Sequence, residues 1–253
     1  MSASVVAVTF DFWDTLVVAQ TEKTRASRRA AMLDVLAEHG HDDIPEAMLD
    51  AVFDDTVRAF NDAWASNRQF TARDGAEHVV ARLGRDLSPA TRAALIEAFM
   101  AAGDRVDVEL APNVASTLAA LDNAGIRIGI ICDVGMTPST VLRSYLERHG
   151  VLHHFDHWSF SDEVGVYKPD RAIFRHALDG LGGVEPIRAV HVGDLRRTDV
   201  RGAKGIGMTA LRYRGVRDDL GEGEQPIEGD HVLDDHADLL ALLGLERSDD
   251  RPG

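Results

Sequence analysis

The sequence predicts an α/β fold, a doubly wound parallel sheet whose chain is interrupted by a helical insert. After residue 107, short apolar segments alternate with segments of helical periodicity, which is typical of a parallel sheet covered by helices on both faces. From residue 20 to residue 107, helical periodicity replaces the strand signals. We therefore assign residues 1–19 and 108–253 to an α/β core domain and residues 20–107 to an inserted α-helical cap domain.

The first predicted strand is the apolar run from Val5 to Phe10, in which Thr9 is the one polar residue and which ends abruptly at Asp11. A short apolar run with a polar end is typical of a strand buried on both faces of a parallel sheet. Ligands bind at the carboxyl ends of such strands. We therefore expect Asp11 at the mouth of the sheet, where a ligand can reach it.

The insert contains four segments with helical periodicity. Pro45 and Pro89 suit first helical positions, and Ser88 suits the N-cap before Pro89. The segments cover residues 27–40, 45–64, 74–84 and 88–103, with Gly40, Gly84 and Gly103 at helix ends. A small helical bundle placed over the sheet mouth would exclude water and select the substrate.

The predicted core continues after the insert with alternating elements. The strand candidates cover residues 127–133, 157–162, 189–194, 209–214 and 231–235. The helical segments between and after them cover residues 113–125, 138–150, 169–182, 198–207 and 236–244.

The composition limits the possible partners. Apolar residues make up 45% and charged residues 27%, which is typical of globular proteins. The formal net charge of −15 argues against nucleic acid as a partner, because phosphate backbones require a concentrated basic face. A small phosphorylated molecule needs only a local cluster of donors and a cation.

The only cysteine, Cys132, excludes an intramolecular disulfide and fits a reducing compartment. The N-terminal apolar run is not preceded by basic residues, and no apolar stretch approaches the roughly 20 residues of a membrane span. We therefore expect a soluble, cytoplasmic protein with no membrane partner.

Polar residues follow four of the predicted strands, where the carboxyl ends of a parallel sheet meet. Each has an ordinary structural explanation when taken singly, as a turn, a helix cap or a small buried side chain. Their combination and order favour one shared site instead. They are Asp11 after the first strand, Cys132 and Asp133 after the second, Lys168 after the third, and Asp194 with Asp199 after the fourth.

These segments resemble the four motifs of the haloacid dehalogenase (HAD) superfamily. Asp11-Phe12-Trp13-Asp14-Thr15 is similar to its first motif, and Lys168-Pro169 and the Gly193-Asp194 pair with Asp199 are similar to its last two. The resemblance runs from Val5 to about Leu243 and extends to subfamily I members with a helical C1 cap. It implies a Rossmann-like core and a Mg²⁺-dependent hydrolase, as a monomer or homodimer, acting on a small phosphorylated metabolite.

The residue types account for this chemistry. Asp11 and Asp194 are oxygen ligands suited to Mg²⁺. A cation would let a dianionic phosphate approach Asp11, which would attack phosphorus to give an aspartyl-phosphate. Lys168 would supply fixed positive charge to the phosphoryl oxygens.

Backbone N–H groups after Cys132 and around Asp14 and Thr15 would complete the phosphate cradle. The resemblance further implies that the backbone carbonyl of Trp13 is a metal ligand. It also implies that Asp199 orients Lys168 or metal-bound water.

Trp13 departs from the family pattern. Phosphatases of the family carry at that position an Asp that acts as general acid and base, which Trp13 cannot do. Since a general acid contributes about 10²–10⁴-fold, we expect turnover of alkyl phosphates to suffer by that factor, and acyl or aryl phosphates less. We interpret the neighbouring Asp14 as a turn-capping residue, because adjacent side chains of an extended segment point apart.

The second motif also departs from the pattern. Cys132 replaces the usual Ser or Thr, and a thiol is a weak donor to phosphate. Asp133 stands where Asn is common, and its charge would repel substrate unless it is paired.

Two alternatives stay open for the function. A 2-haloacid dehalogenase-like activity would explain an aromatic residue at position 13, but the resemblance implies that dehalogenases lack the metal motif, which is intact here. A catalytically weak HAD protein that binds phosphate or a partner is the other. Phosphonate hydrolysis has weaker support than these two alternatives, because it would need a cap lysine near the site. Lys23 is the only lysine in the cap.

The cap offers one clue to the substrate. Arg25 and Arg28 lie three residues apart, on one face of the first cap helix. They would clamp a second anionic group of the substrate, or simply form a solvated helix face.

Overall fold

The computed structural model describes residues 4–220 and 227–245 and contains a six-stranded parallel sheet flanked by helices, which confirms the predicted α/β class. The strand order is β5-β4-β1-β6-β7-β8, and β2 and β3 form a separate antiparallel pair. The strands are β1 (Ala7–Phe10), β2 (Val17–Val18), β3 (Glu109–Leu110), β4 (Arg127–Cys132), β5 (His157–Phe160), β6 (Ala189–Gly193), β7 (Thr209–Tyr213) and β8 (His231–Leu233).

Ten α-helices lie in the described ranges. They are α1 (Thr21–Glu38), α2 (Glu46–Ala65), α3 (Ala72–Arg82), α4 (Pro89–Ala101), α5 (Val114–Asn123), α6 (Ser139–Arg148), α7 (Ser161–Val164), α8 (Arg171–Gly180), α9 (Arg201–Ile206) and α10 (Ala237–Leu242). Among the described helices, none combines the length and the apolar character needed to cross a membrane.

The chain divides into two compact units. The α/β unit comprises Met1–Ala19, Glu109–Asp133 and Leu146–Gly253, and the helical unit comprises Gln20–Val108 and Val134–Tyr145. The predicted cap, residues 20–107, coincides with the larger segment of the helical unit. The boundaries drawn from the sequence assign residues 134–145 to the core and stay a prediction.

The α/β unit is built around β1, whose four residues are all buried. This strand pairs in parallel with β4 on one side and β6 on the other, with Phe10 in register with Ile130 and Val192. Apolar side chains on both faces of the strand are expected where helices cover both faces of a sheet. The parallel register brings the residues that follow β1, β4 and β6 to the same edge.

The helical unit has its own apolar core, which includes Met32, Leu49, Phe53, Leu95 and Phe99. Helices with apolar residues recurring on one face pack against each other in this way.

Helix ends in this unit follow the sequence in most cases. Ser88 caps α4 by accepting a hydrogen bond from the Thr91 backbone N–H at 3.1 Å, and Pro89 occupies the first helical position as predicted. Pro45 is an exception, because its extended backbone makes it the N-cap of α2 and not the first helical residue. Gly40 and Gly84 end their segments with positive φ, whereas Gly103 lies inside a short 3-10 helix.

Two short features of the α/β unit were not predicted. The candidate strand at residues 157–162 ends at Phe160, and α7 begins at the next residue. A π-helical turn, Arg196–Val200, precedes α9 and holds Asp199.

Candidate active site

Asp11 follows β1 directly and is 6% exposed. Its backbone N–H donates to the Val192 carbonyl at 2.8 Å, which extends the parallel pairing with β6 by one residue. Regular sheet structure therefore holds the carboxylate at the carboxyl edge, as expected from the end of the apolar run.

Lys168 brings two carboxylates together. Its Nζ donates to Asp11 Oδ1 and to Asp199 Oδ1, the latter at 2.7 Å. The Lys168 side chain is 2% exposed. Charge-assisted hydrogen bonds of a buried ammonium to two carboxylates fix its position closely.

Asp199 is held on all sides. Its Oδ1 also accepts from His191 Nε2 at 3.0 Å, and its Oδ2 accepts from the Leu195 backbone N–H and the Thr198 hydroxyl at 3.1 and 3.0 Å. Gly193 makes room for this side chain, since a Cβ at position 193 would lie 2.4 Å from the Asp199 carboxyl carbon. Asp199 is thereby a fixed hydrogen-bond acceptor for Lys168, and its orienting role in catalysis stays a prediction.

His191 was not predicted as a site residue. It lies on β6, is buried, and its Nδ1 is 2.9 Å from the Thr9 hydroxyl on β1. Burial lowers the pKa of His191, which favours the neutral ring. In the neutral tautomer whose Nε2 donates to Asp199, Nδ1 is an acceptor that the Thr9 hydroxyl can reach. The buried apolar context of the sequence AVHVGD gave no sign of this contact.

Asp194 follows β6 and is also buried. Arg217 donates from Nη2 to Asp194 Oδ2 at 3.3 Å, and its Nε lies 3.5 Å from Asp14 Oδ2. Arg217 is a second residue that sequence reasoning missed, because it lies in a loop with no motif around it.

The first-motif turn places Asp14 and Thr15 differently. Asp14 has φ of +52° and its Oδ1 accepts from the Ala19 backbone N–H at 3.0 Å, which fits the predicted turn-capping role. The Thr15 hydroxyl is buried without a hydrogen-bond partner among the described residues. The Trp13 ring packs edge-on against Phe12, with centroids 5.1 Å apart, and is half-buried.

The second motif lies at the end of β4. Cys132 is fully buried, and burial raises the pKa of its thiol well above the usual value. A thiol that stays protonated is a poor nucleophile. The Asp133 Oδ1 accepts from the Lys168 backbone N–H at 2.9 Å, so this carboxylate has a partner that fixes the segment carrying Lys168.

Burial and mutual repulsion shape the electrostatics of the carboxylates. Burial raises the pKa of Asp11 to about 7, with Lys168 opposing the shift. Burial, with the charges of Asp11 and Asp199, raises the pKa of Asp194 well above its ordinary value. Although burial opposes it, Lys168 and His191 hold the pKa of Asp199 below its ordinary value. The ammonium of Lys168 has a pKa well above normal, because the two carboxylates outweigh its burial.

The donor set fits a hard divalent cation. Asp11, Asp194 and Asp199 offer carboxylate oxygens that all lie within 4.8 Å of one another. Clustered oxygen ligands of this kind suit Mg²⁺. A cation would offset the burial and the mutual repulsion that raise the pKa values of Asp11 and Asp194.

The two arginines singled out in the sequence belong to the helical unit. Arg25 donates from Nη1 to Asp54 Oδ1 at 2.5 Å and also pairs with Asp50. Arg28 is buried and donates from Nη2 to the Thr137 hydroxyl at 3.1 Å. Asp11, Cys132, Lys168, Asp194 and Asp199 belong to the α/β unit. A contact of Arg25 or Arg28 with the substrate stays a prediction.

Curated proteins of similar sequence match this chain over different shares of their length. A glyceraldehyde 3-phosphate phosphatase from Methanopyrus kandleri is 30% identical over 247 residues, covering 94% of this chain and 96% of that protein. Several other curated relatives are matched over about half of their own length, for example 53% and 49%.

Two solved structures are similar over nearly their whole length. A 2-haloacid dehalogenase from Pseudomonas syringae pv. Tomato DC3000 is 26% identical, with a TM-score of 0.67, and covers 95% of this chain and 98% of its own. A HAD phosphatase from Thermococcus onnurineus is 25% identical, with a TM-score of 0.61, and covers 95% and 99%.

A family model supplies the most direct assignment. The model described as haloacid dehalogenase-like hydrolase matches residues 5–207, which include Asp11, Lys168, Asp194 and Asp199. The match spans most of the chain and all four motifs on which the resemblance was based. The chain therefore belongs to the haloacid dehalogenase-like hydrolases and is a hydrolase of that family.

Proposed function

We propose that this hydrolase is a Mg²⁺-dependent phosphatase that acts on a small phosphorylated metabolite through an aspartyl-phosphate on Asp11. The observation that carries the proposal is the Lys168 ammonium, which is bonded to Asp11 and Asp199 within a cluster of three buried carboxylates. A fixed cation beside a carboxylate at the carboxyl end of a strand suits transfer of an anionic phosphoryl group. The phosphatase names of the relatives support the same reaction class.

The metal would be held by the carboxylates of Asp11 and Asp194 and the backbone carbonyl of Trp13. When bound, it would neutralise phosphoryl charge and so allow the substrate to approach an anionic nucleophile.

Asp11 and Lys168 carry the proposed chemistry. A carboxylate oxygen of Asp11 forms a bond to phosphorus while the bond from phosphorus to the leaving oxygen breaks. Water then attacks the aspartyl-phosphate, releasing inorganic phosphate and restoring the Asp11 carboxylate. Lys168 holds Asp11 in place and offers positive charge to the phosphoryl oxygens, while Asp199 and His191 hold Lys168.

Other contacts complete the proposed substrate cradle. The buried Thr15 hydroxyl lacks a partner among the described residues, and a phosphoryl oxygen would satisfy it. Cys132 and the backbone N–H of Asp133 would face the same group. Asp133 accepts a hydrogen bond from the Lys168 backbone N–H. Its proposed role is therefore to fix the segment that carries Lys168, and its carboxylate would not contact the substrate.

Trp13 narrows the choice of substrate. An indole N–H cannot shuttle a proton to the leaving oxygen as a carboxylic acid does. Substrates whose leaving group is already a weak base, such as acyl or aryl phosphates, therefore suit this site better than simple alkyl phosphates.

The test is phosphate release with and without Mg²⁺ from acetyl phosphate, an aryl phosphate and glyceraldehyde 3-phosphate. Wild-type protein should release phosphate only with Mg²⁺, and Asp11→Asn should lower the rate at least about 10³-fold, as expected for loss of a nucleophile. Asp14→Asn is the matched control, because Asp14 is bonded to the turn, and it should change the rate by less than about tenfold. Equal rates for wild type and Asp11→Asn would refute the proposal.

A dehalogenase is the second candidate, favoured by the aromatic residue at position 13 and by the likeness to the Pseudomonas syringae enzyme. In that case Asp11 would attack carbon and no metal would be needed. Halide release from a 2-haloacid in the presence of EDTA, without phosphate release in Mg²⁺, would favour this candidate. Binding of phosphate without turnover of either substrate class would favour a catalytically weak binding protein.

A further inference from the structure

The helical unit contains a pocket of about 390 Å³. The residues that line it include Arg25, Arg28, Phe53, Val57, Phe99 and Met136, all of which belong to this unit. Cavities of this size with largely apolar walls and a few polar groups are typical of small-molecule sites.

Arg28 is the polar group that gives the pocket its chemistry. It is 9% exposed, and its guanidinium carbon lies 4.4 Å from the centroid of the Phe99 ring. Its Nη2 donates to the Met136 carbonyl and to the Thr137 hydroxyl. Its Nε is buried and has no hydrogen-bond partner among the described residues.

Arg28 also lacks a counter-ion, unlike its neighbours on α1. Arg25 pairs with Asp50 and Asp54, and Arg29 pairs with Glu46 and Asp50. No carboxylate of the described residues forms an ion pair with Arg28. Burial lowers the pKa of Arg28 to about 10, so the side chain stays charged at neutral pH.

A buried, charged guanidinium with an unused donor is costly unless an anion completes it. The chain does not supply that anion within the described residues. Phe99 stabilises the cation through its ring face, but a ring accepts no N–H hydrogen bond of ordinary strength. An acceptor brought by a ligand would satisfy both the charge and the donor.

The charge of the pocket selects the kind of anion. The lining carries the guanidinium groups of Arg25, Arg28 and Arg58 and the carboxylates of Glu22 and Asp54. Since Arg25 pairs with Asp54 and Arg58 with Asp55, Arg28 contributes the one positive charge without a carboxylate partner among the described residues. These carboxylates would oppose a dianion more than a monoanion. The guanidinium fork matches the planar geometry of a carboxylate, and Phe53 and Met136 suit an apolar body.

We propose that this pocket of the helical unit binds a small monocarboxylate with a planar apolar body. The ligand carboxylate accepts hydrogen bonds from Arg28, and its body lies against Phe53, Phe99 and Met136. The site uses none of the residues of the Asp11 cluster and does not depend on the reaction proposed for it.

The test uses phenylacetate as the probe and calorimetric titration of the full chain. Phenylacetate should bind with one-to-one stoichiometry. Phenylacetamide, which has the same shape without the charge, should bind at least about tenfold more weakly, since a charged hydrogen bond is lost. Inorganic phosphate should not compete with phenylacetate.

Two variants probe the pocket from different sides. Arg28→Gln removes the cation and should weaken phenylacetate binding at least about tenfold. Val57→Trp leaves Arg28 intact and fills the pocket from its half-exposed wall, so it should also abolish binding. Arg29→Gln is the matched control, because Arg29 lies on the same helix outside the pocket lining, and binding should stay within twofold. Circular dichroism of each variant checks that it is folded.

The outcomes separate this proposal from the proposed function. Asp11→Asn should bind phenylacetate as the wild type does, whatever its effect on phosphate release. Absence of phenylacetate binding to the wild type would overturn the proposal. Binding that survives in folded Val57→Trp, or equal affinity for phenylacetate and phenylacetamide, would overturn it as well.

Discussion

The α/β unit and the helical unit each bury a cation, and they surround it differently. In the α/β unit, Lys168 is bonded to two carboxylates, and one of these is itself held by His191. In the helical unit, Arg28 is bonded to a carbonyl and a hydroxyl, rests against Phe99, and has no carboxylate partner among the described residues.

The charge of Lys168 is balanced by carboxylates of the same unit, whereas the charge of Arg28 has no carboxylate partner among the described residues. The Lys168 network needs its cation to keep Asp11 and Asp199 side by side, because like charges repel strongly in a buried site. The Arg28 site has a charge to offer and no anion of its own. We infer that Lys168 takes part in the reaction proposed at Asp11, whereas Arg28 binds a ligand that is not part of the chain.

The largest expected effect breaks the Lys168 network. Lys168→Met leaves two buried carboxylates without their cation and should lower the free energy of unfolding by about 3–5 kcal/mol, as for other buried pairs that lose one partner. Arg28→Met removes a charge that no carboxylate balances, and its loss should be below about 2 kcal/mol. Urea denaturation of both variants at pH 7 measures the difference. A larger loss for Arg28→Met would contradict the comparison.

The next effect concerns protonation of the leaving oxygen, for which Trp13 cannot act as a general acid. Wild-type protein should prefer an aryl phosphate over an alkyl phosphate by about 10²–10⁴-fold in kcat/KM, because Trp13 is no general acid. Trp13→Asp should reduce this preference by at least about tenfold, mainly through faster alkyl turnover. Trp13→Phe is the control and should leave the preference as it is. A wild-type enzyme without the preference would show that another group protonates the leaving oxygen.

A smaller effect concerns His236, a buried histidine of the α/β unit. It is fully buried, its Nε2 donates to the Thr15 carbonyl at 2.8 Å, and its ring stacks on Tyr213. Burial lowers the pKa of His236. Unlike Arg28, it escapes an uncompensated charge by losing its proton.

The sign of the pH effect follows from that shift. A lowered pKa in the folded state contributes stability above the ordinary histidine value of about 6.5, and this stability is lost as pH falls below it. Between pH 7 and pH 5.5 the wild type should lose more of its free energy of unfolding than His236→Gln, which keeps a donor for Thr15. Equal losses in urea denaturation would mean that folding does not lower the pKa of His236.

The smallest expected effect is at Cys132. Cys132→Ser replaces a weak thiol donor by a hydroxyl at the proposed phosphate cradle. Competitive inhibition by inorganic phosphate should become stronger by about three- to tenfold, the range of one added hydrogen bond. Unchanged inhibition would place phosphate away from Cys132.

Most of the fold was accessible from the sequence, because short-range patterns determine it. The apolar run ending at Asp11 predicted β1. The helical unit begins at Gln20, where helical periodicity replaces the strand signals in the sequence. Pro45 shows the limit, since a proline suits either of the first two positions and only the backbone angles distinguish them.

The site was predictable only where a motif marked it. Asp11, Lys168, Asp194 and Asp199 follow strands, and the parallel topology brings such positions to one edge. His191 and Arg217 contact the cluster from an apolar strand and from a loop, where no local pattern marks a long-range contact. The same holds for Arg28, whose helix position left both a solvated face and a ligand-binding face open and did not predict its packing against Phe99.

The proposed function requires that Asp11 accepts the phosphoryl group. Incubation with acetyl phosphate and Mg²⁺, followed by borohydride reduction and peptide mapping, measures this directly, because reduction of an aspartyl-phosphate converts the residue to homoserine. We predict homoserine at position 11 in the wild type, and none without Mg²⁺ or in Asp11→Asn. Release of phosphate with homoserine elsewhere or nowhere would contradict it.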